Sequence, residues 1–293
     1  MKYQIEYRHL TYFLTVAEEL HFRRAAERLF ISQPGLSRQI KQLEENLGVP
    51  LFERHNRKVL LTTAGKFLQQ ELAQNLKQLS HILSQTQLID KGVNGSLKIG
   101  YVGSAMQKLI PKILLQYKQT NANTLINLQE MDNQQQLEAL LNQDIDVGFI
   151  RQERVPSGLV VQPTPVETFS LVLPQNHRVS DANFSSLKQF EQEDFILFDA
   201  SYSQSYYETV MQIFDDAGFA PQVSHSTVNA SSIYRLVENN LGLSIVPTSL
   251  TKGFDMNIKF IELTTIKQRT ALNMVWNSKN RNPVLGSFLS LNL

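Results

Sequence analysis

The sequence predicts an all-α helix-turn-helix domain with a β-hairpin wing, followed by a long linker helix and an α/β module. Three observations predict this order. Between Ile5 and Leu47, apolar residues recur every three or four positions in three consecutive segments, the period of amphipathic helices. Residues 63–92 form a polar segment with regularly spaced leucines. From Ser96 onward, short apolar runs alternate with amphipathic segments, which is typical of an α/β fold with a mainly parallel sheet.

The composition is that of a folded protein with a basic N-terminal part. The chain has 293 residues, of which 42% are hydrophobic and 19% charged, and it has no cysteine, which excludes disulfides and thiolate chemistry. Residues 1–92 hold 13 basic and 9 acidic side chains, a net charge of +4, whereas residues 93–293 hold 15 and 18, a net charge of −3. A basic excess at one end is expected if that end binds nucleic acid.

The first three predicted helices have clear faces and ends. The apolar face of the first is formed by Leu10, Phe13, Leu14, Ala17 and Leu20. The second, Arg23 to Leu29, is short and turns small alanines inward, so another helix can approach closely. The third begins at Ser32, a good N-cap, has Pro34 in its first turn and ends at Gly48.

The second and third predicted helices are joined by a tight turn, and the third has an N-cap, which predicts a helix-turn-helix. The third helix would be the recognition helix, which enters the major groove of DNA. The outer face of that helix carries Gln33, Pro34, Ser37, Arg38 and Lys41. Gln33 suits adenine, and Arg38 suits bidentate pairing with guanine. The side chains better placed for phosphates are Arg23, Arg24, Ser32 and Ser37. Taken alone, such a helix favours the alternative, a solvated surface helix with ordinary charges.

The segment after Gly48 favours DNA binding. Two short apolar runs between Val49 and Thr62 flank a basic tip, which predicts a β-hairpin wing. Arg57 lies at this tip, where its side chain is expected to enter the minor groove.

The linker helix is predicted from Thr63 to about Lys91. Its apolar positions follow a near-heptad spacing and are Leu68, Leu72, Leu76, Leu79, Leu83 and Thr86. This spacing predicts a dimerisation helix, although a long helix packed on its own domain remains the alternative. The sequence from Gly92 to Gly95 ends the helix.

The α/β module is predicted from the remaining periodicity. Its expected strands are Leu97–Val102, Leu125–Glu130, Ile145–Ile150, Phe169–Leu173, Phe195–Phe198, Leu243–Val246 and Ala271–Trp276. Its expected helices are Leu109–Tyr117, Gln134–Leu141, Ser205–Ala217, Ser231–Asn240 and a last one from Pro283. The order of these elements indicates an α/β fold.

Residues 25–65, AAERLFISQPGLSRQIKQLEENLGVPLFERHNRKVLLTTAG, resemble the signature of the LysR-type transcriptional regulators, in particular those controlling aromatic-compound catabolism. The similarity is nearly continuous across residues 8–65. It implies a regulator, activator or repressor, that binds double-stranded promoter DNA, associates as a dimer and a tetramer, and contacts RNA polymerase. It also implies an effector module of two Rossmann-like lobes, similar to periplasmic binding proteins.

The resemblance divides the chain into four parts. A winged helix-turn-helix domain covers residues 1–62 and a dimerisation helix residues 63–92. The first effector-binding lobe would be residues 95–166 plus 268–293, and the second residues 167–267. The effector expected between these lobes is an organic anion such as an aromatic carboxylate.

Several capped helix starts follow the strands of the module, and the resemblance places them around one cleft. The residues expected to bind the effector are Ser104, Asn133, Arg151, Ser201, Tyr202, Ser203 and Asn229. Backbone N–H groups at helix starts carry partial positive charge, which suits a carboxylate, but each start also fits a simple cap. In the family, the segments similar to IGYVGSA and LQEMDN line the effector site, which favours Ser104 and Asn133. Arg151 is either a counter-charge for the effector or a surface partner of Glu153.

Two other classes of protein were weighed. An enzyme is disfavoured because the chain has no G-x-S-x-G, P-loop, G-x-G-x-x-G or H-E-x-x-H motif, and its histidines lie apart. A transport binding protein is disfavoured by the first 92 residues and by an N-terminus unlike a secretory signal. We expect a cytoplasmic protein without a cofactor, a metal site or a membrane span.

Overall fold

The structure is a computed structural model that describes residues 4–55, 58–253 and 255–291. The chain forms two compact units, Met1–Gln87 and Leu88–Leu293. None of the helices in the described ranges combines the length and the apolar character needed to cross a membrane.

The N-terminal unit begins with three helices packed on one apolar core. They are α1 (Tyr7–Glu19), α2 (Phe22–Arg28) and α3 (Gln33–Leu47). The Ser32 hydroxyl accepts a hydrogen bond from Gly35 N at the start of α3, and Gly48 ends this helix at φ 74°, so both predicted ends are confirmed. The core between them holds Phe13, Leu36 and Ile40, each fully buried. Leu20 differs from the prediction, because it is the left-handed C-cap of α1 and is 42% exposed.

The predicted wing is an antiparallel hairpin of β1 (Phe52–His55) and β2 (Lys58–Leu61). The ring of Phe52 packs 5.4 Å from that of Phe13, which joins the hairpin to the helices. Arg57, predicted to reach the minor groove, lies outside the described residues.

The linker helix α4 (Thr63–Asp90) has nearly its predicted length. Gly65 in its first turn is required, because a Cβ there would collide with the carbonyl oxygen of Leu51. Leu68, Leu72 and Leu76 pack on the core of the N-terminal unit. Farther along α4, Leu79 and Leu83 are exposed. The leucines in the first half of α4 therefore pack on their own domain, as the alternative interpretation predicted. Those in the second half are exposed to solvent.

Within the C-terminal unit, a five-stranded sheet has the order β4-β3-β5-β12-β6. Its strands are β3 (Gly95–Tyr101), β4 (Thr124–Glu130), β5 (Val147–Ile150), β6 (Leu159–Gln162) and β12 (Asn273–Asn277). The helices of this part are α5 (Leu109–Thr120), α6 (Asn133–Leu141) and α9 (Leu285–Leu289), with a 3-10 helix at Gly103–Gln107. We call this part lobe I.

The intervening chain forms lobe II. Its strands are β7 (Phe169–Pro174), β8 (Asp194–Phe198), β9 (Gln222–Thr227), β10 (Ser244–Pro247) and β11 (Ile258–Glu262). Its helices are α7 (Gln204–Ala217) and α8 (Ala230–Glu238), with 3-10 helices at Leu187–Phe190 and Thr248–Thr251. Strands β10-β7-β11 form one sheet and β8-β9 another, linked by a bridge between Phe195 and Leu243.

Two α/β lobes are therefore present, as predicted, but their sheets are mixed. Strand β3 is parallel to β4 and β5, whereas β12 runs antiparallel to β5 and β6, and β7 antiparallel to β10 and β11. The expectation of a mainly parallel sheet is confirmed in lobe I, where β4, β3, β5 and β6 run in one direction and β12, which returns from lobe II, runs in the opposite direction. The two segments that connect the lobes pair through backbone hydrogen bonds between Glu167 and Thr270.

Candidate functional site

A cavity of about 180 Å³ lies between lobe I and lobe II. Lobe I contributes Val102, Gly103, Ser104, Met106, Gln107, Glu130 and Arg151 to its wall. Lobe II contributes Phe198, Tyr202, Ser203, Tyr206, Val228, Asn229, Ala230, Ser231, Pro247 and Leu250. A mostly apolar wall with a few polar groups is typical of small-molecule sites.

Arg151 is the one predicted counter-charge, and its guanidinium is already bound by protein. Its Nε donates to Ser104 Oγ at 3.1 Å, its Nη1 to Thr270 Oγ1 at 3.0 Å and its Nη2 to Glu167 Oε1 at 2.8 Å. The Arg151 side chain is 5% exposed and that of Glu167 19% exposed, so this is a largely buried ion pair. Of the two roles considered, surface pairing with Glu153 is not observed, and the charge of Arg151 at the cavity wall is already compensated by Glu167.

Asn133 lies behind the cavity wall rather than in it. Its Oδ1 accepts from Arg151 N at 3.1 Å, and its Nδ2 donates to Arg151 O and to Ser203 Oγ. The amide is buried, and all its hydrogen-bonding atoms have protein partners. The direct effector contact expected for Asn133 is thus replaced by a hydrogen bond of 2.8 Å to Ser203, which joins lobe I to lobe II.

Tyr202 forms a second contact between the lobes. Its hydroxyl accepts a hydrogen bond of 3.1 Å from Gly103 N, at the start of the 3-10 helix in lobe I. Burial raises the pKa of Tyr202, the Gly103 N–H bond opposes this, and the charges of Glu130 and Asp132 raise it further. The phenol is therefore protonated at neutral pH and can donate to a ligand.

The first turn of α8 supplies the facing wall. The Asn229 side chain accepts from Ser231 N at 2.8 Å, so the predicted cap is present. The backbone N–H groups of Ala230 and Ser104 have no hydrogen-bond partner within the described chain, and both residues line the cavity. Ser201, also predicted here, lies outside the wall, and its hydroxyl donates to Asp199 Oδ1 at 2.5 Å.

The structure thus brings together Ser104, Arg151, Tyr202, Ser203 and Asn229 and leaves out Asn133 and Ser201. Sequence reasoning did not select Gln107, Glu130 or Ser231. Glu130 lies in the LQEMDN segment, and Ser231 lies two residues after the predicted Asn229, so these neighbours were the available signal.

A larger crevice of about 740 Å³ adjoins the same region. Ser104 and Gln107 line both spaces, Arg151 lines the smaller one and Glu167 the crevice. The buried Arg151–Glu167 pair therefore connects the walls of the two spaces.

The outer face of α3 is arranged as predicted for a recognition helix. Ser32, Gln33, Pro34, Arg38 and Lys41 are exposed, and Ser37 is half-buried. The Gln33 side chain donates to Ser37 Oγ at 2.9 Å, and Arg38 Nε lies 3.5 Å from Pro34 O.

The charges around this face are partly paired. Exposed ion pairs join Lys41 to Glu45 at 3.6 Å and Arg23 to Glu27 at 3.0 Å. Such exposed pairs contribute little to stability and exchange readily for phosphate. The terminal nitrogens of Arg38 have no partner in the described residues.

Family models of known proteins match both parts of the chain. A family model described as "LysR substrate binding domain" matches residues 90–291, and one described as "Bacterial regulatory helix-turn-helix protein, lysR family" matches residues 7–66. The chain is 31% identical over 287 residues to the HTH-type transcriptional regulator AlsR of Bacillus subtilis (strain 168), covering 98% of this chain and 95% of AlsR.

Two solved structures are similar in fold. One is full-length CbnR complexed with its target DNA, with a TM-score of 0.64, 25% identity, and coverage of 97% of this chain and 98% of that chain. The other is the BenM effector binding domain with its effector benzoate, with a TM-score of 0.60, 25% identity, and coverage of 67% and 89%.

Proposed function

The chain belongs to the LysR family of DNA-binding transcriptional regulators, and we propose that it responds to a small organic anion bound in the cavity between its lobes. Because the members of this family are transcriptional regulators, the two alternatives considered from the sequence, an enzyme and a transport binding protein, are not retained. As a regulator of promoter DNA it is proposed to act in the cytoplasm, with RNA polymerase as a further partner.

The observation that carries this proposal is a pair of backbone N–H groups without a partner in the described chain, those of Ser104 in lobe I and Ala230 in lobe II, two residues that line the cavity. The N–H of Ala230 opens the nine-residue helix α8, whose N-terminus carries partial positive charge. One carboxylate reaching both groups would connect lobe I to lobe II. Because an effector shifts a conformational equilibrium only by binding one state more tightly, a ligand held by both lobes is suited to regulation.

The charges on the wall favour a single carboxylate. Arg151 is neutralised by Glu167, and Glu130 has no ion pair within the described residues. A second negative group on the ligand would meet Glu130 without a compensating cation. The apolar wall, with Phe198, Val228 and Leu250, suits the body of an aromatic acid. Benzoate is therefore a suitable first probe.

We expect benzoate to bind the full-length chain and phthalate, which carries a second carboxylate, to bind more weakly in isothermal titration calorimetry. In Ala230→Pro, benzoate affinity should fall about tenfold, because proline lacks the backbone N–H that the carboxylate is proposed to bind, whereas the first position of a helix such as α8 tolerates proline. The matched control is Ser201→Ala, whose hydroxyl bonds Asp199 outside the cavity and whose loss should leave affinity unchanged. Tighter binding of phthalate would contradict the single-carboxylate proposal, and equal affinity of both variants would move the site elsewhere.

A further inference from the structure

Phe30 lies in the turn between α2 and α3 and has a side chain that is 95% exposed, more than any other large hydrophobic residue of the described chain. Its backbone is left-handed, with φ 56°. A bulky residue in this conformation is uncommon and costs free energy. The position therefore combines backbone strain with an unburied aromatic ring.

The fold requires the left-handed backbone here but gives no reason for the ring. Ile31 N donates to Ala26 O at 3.0 Å and Phe30 N to Glu27 O at 3.2 Å, which is the Schellman pattern that ends α2. Glycine and asparagine are the residues that favour this position. The apolar contact that accompanies the motif comes from Ile31, which packs on the core of the N-terminal unit.

The surface next to Phe30 is that of the recognition helix. Ser32, the N-cap of α3, is two residues away, and the exposed Gln33 and Pro34 follow. The N-terminal half of a recognition helix is the part that reaches base edges. An exposed side chain in the turn that leads into this half is continuous with the DNA-binding surface.

We infer that the Phe30 ring contacts an apolar part of duplex DNA beside the recognition helix. Thymine methyl groups in the major groove and the deoxyribose rings are the apolar surfaces that duplex DNA offers there. Burial of the ring against DNA would explain why an aromatic residue occupies a position better suited to glycine or asparagine. Phe30 would then add affinity for thymine at the edge of each half-site, or for the backbone at that place.

The test uses the full chain and a duplex enriched by the wild-type chain from a random library. Phe30→Asn removes the ring and relieves the left-handed strain, so we expect unchanged or raised thermal stability together with about tenfold weaker DNA binding. The control Val49→Asn makes a similar change at the opposite end of α3, where Val49 is partly exposed, and should leave DNA affinity unchanged.

Replacing single thymines of the duplex by deoxyuridine distinguishes the two apolar surfaces. If the ring contacts a methyl group, one replacement per half-site weakens binding of the wild type and not of Phe30→Asn. If it contacts deoxyribose, no replacement has this selective effect, although Phe30→Asn still binds weakly. Wild-type affinity in Phe30→Asn would overturn the inference, because the ring would then not contact DNA. A joint loss of stability and affinity would also overturn it, because the ring would then be needed for the fold. Failure of the wild type to enrich any duplex would instead count against DNA binding as a whole.

Discussion

At the scale of single residues, the effector module is organised around Arg151. Its side chain donates hydrogen bonds to Ser104, Thr270 and Glu167. Its backbone N–H and carbonyl form hydrogen bonds with the Asn133 amide. Burying a guanidinium is costly unless a carboxylate compensates it and all its donors are bound. Here Glu167 compensates the charge, and each of the three guanidinium nitrogens donates one hydrogen bond, so removal of one partner leaves the other charge buried and unpaired.

Glu167→Gln should therefore lower the free energy of unfolding by about 3 kcal/mol, because it leaves the charge of Arg151 buried without compensation. Urea unfolding of the full chain, followed by near-ultraviolet circular dichroism, measures this loss. Glu153→Gln makes the same change at an exposed residue and should have little effect. Equal stability of the two variants would show that the buried pair contributes no more than a surface charge.

The sequence located these residues better than it assigned their roles. Ser104, Arg151 and Tyr202 were selected from their places after strands, and all three line the cavity. Asn133 was selected on the same ground, but its side chain, at the start of α6, donates a hydrogen bond to Ser203 of lobe II and so joins the lobes. Periodicity and caps identify where a strand or helix ends, but the partner across a cleft depends on the packing of distant segments.

At the scale of elements, helices were easier to predict than strands. The caps at Ser32 and Gly48 fixed the ends of α3, and an apolar period marked its inner face. Strand β9 was missed because its sequence, QVSHST, is polar and its side chains are largely exposed. It exists through parallel pairing with β8, which no local pattern of side chains reveals.

The linker helix α4 carries the prediction that belongs to this scale. Leu83 is 56% exposed, and Ile82 and Ile89 near it are exposed as well, although Leu72 on the same helix is buried. A solvent-exposed apolar face on a long helix favours pairing with a second copy. We propose that this half of α4 forms the dimer contact.

Leu83→Glu should raise the dimer dissociation constant at least about tenfold, because it places a charge in the apolar seam. Sedimentation equilibrium of the full chain measures this, with far-ultraviolet circular dichroism to show that the helix persists. Ser84→Glu adds the same charge one position along and is the control. A dimer that survives Leu83→Glu unchanged would place the contact elsewhere.

At the scale of the whole molecule, the charge distribution separates two tasks. The net charge of +4 in residues 1–92 attracts DNA without reading its sequence, and the net charge of −3 in the remainder does not. One α3 offers few base contacts, with Gln33 and Arg38 as the main candidates. Specific binding is therefore expected to depend on two helices reading two half-sites, which a dimer would present together.

Arg38→Ala tests this dependence, because a dimer loses the side chain from both recognition helices at once. On a duplex with one half-site, the loss of binding free energy should be about 1–3 kcal/mol, the value of a bidentate arginine–guanine contact. On a duplex with two half-sites it should be about twice that, since well-separated contacts add. Fluorescence anisotropy at fixed salt measures both, and Arg154→Ala, which removes an exposed arginine of the C-terminal unit, is the control.

In the Leu83→Glu variant, at concentrations where it is monomeric, the added Arg38→Ala change should lower the binding free energy by the same amount on both duplexes. An equal cost on both duplexes in the wild-type background would mean that only one recognition helix reads the DNA.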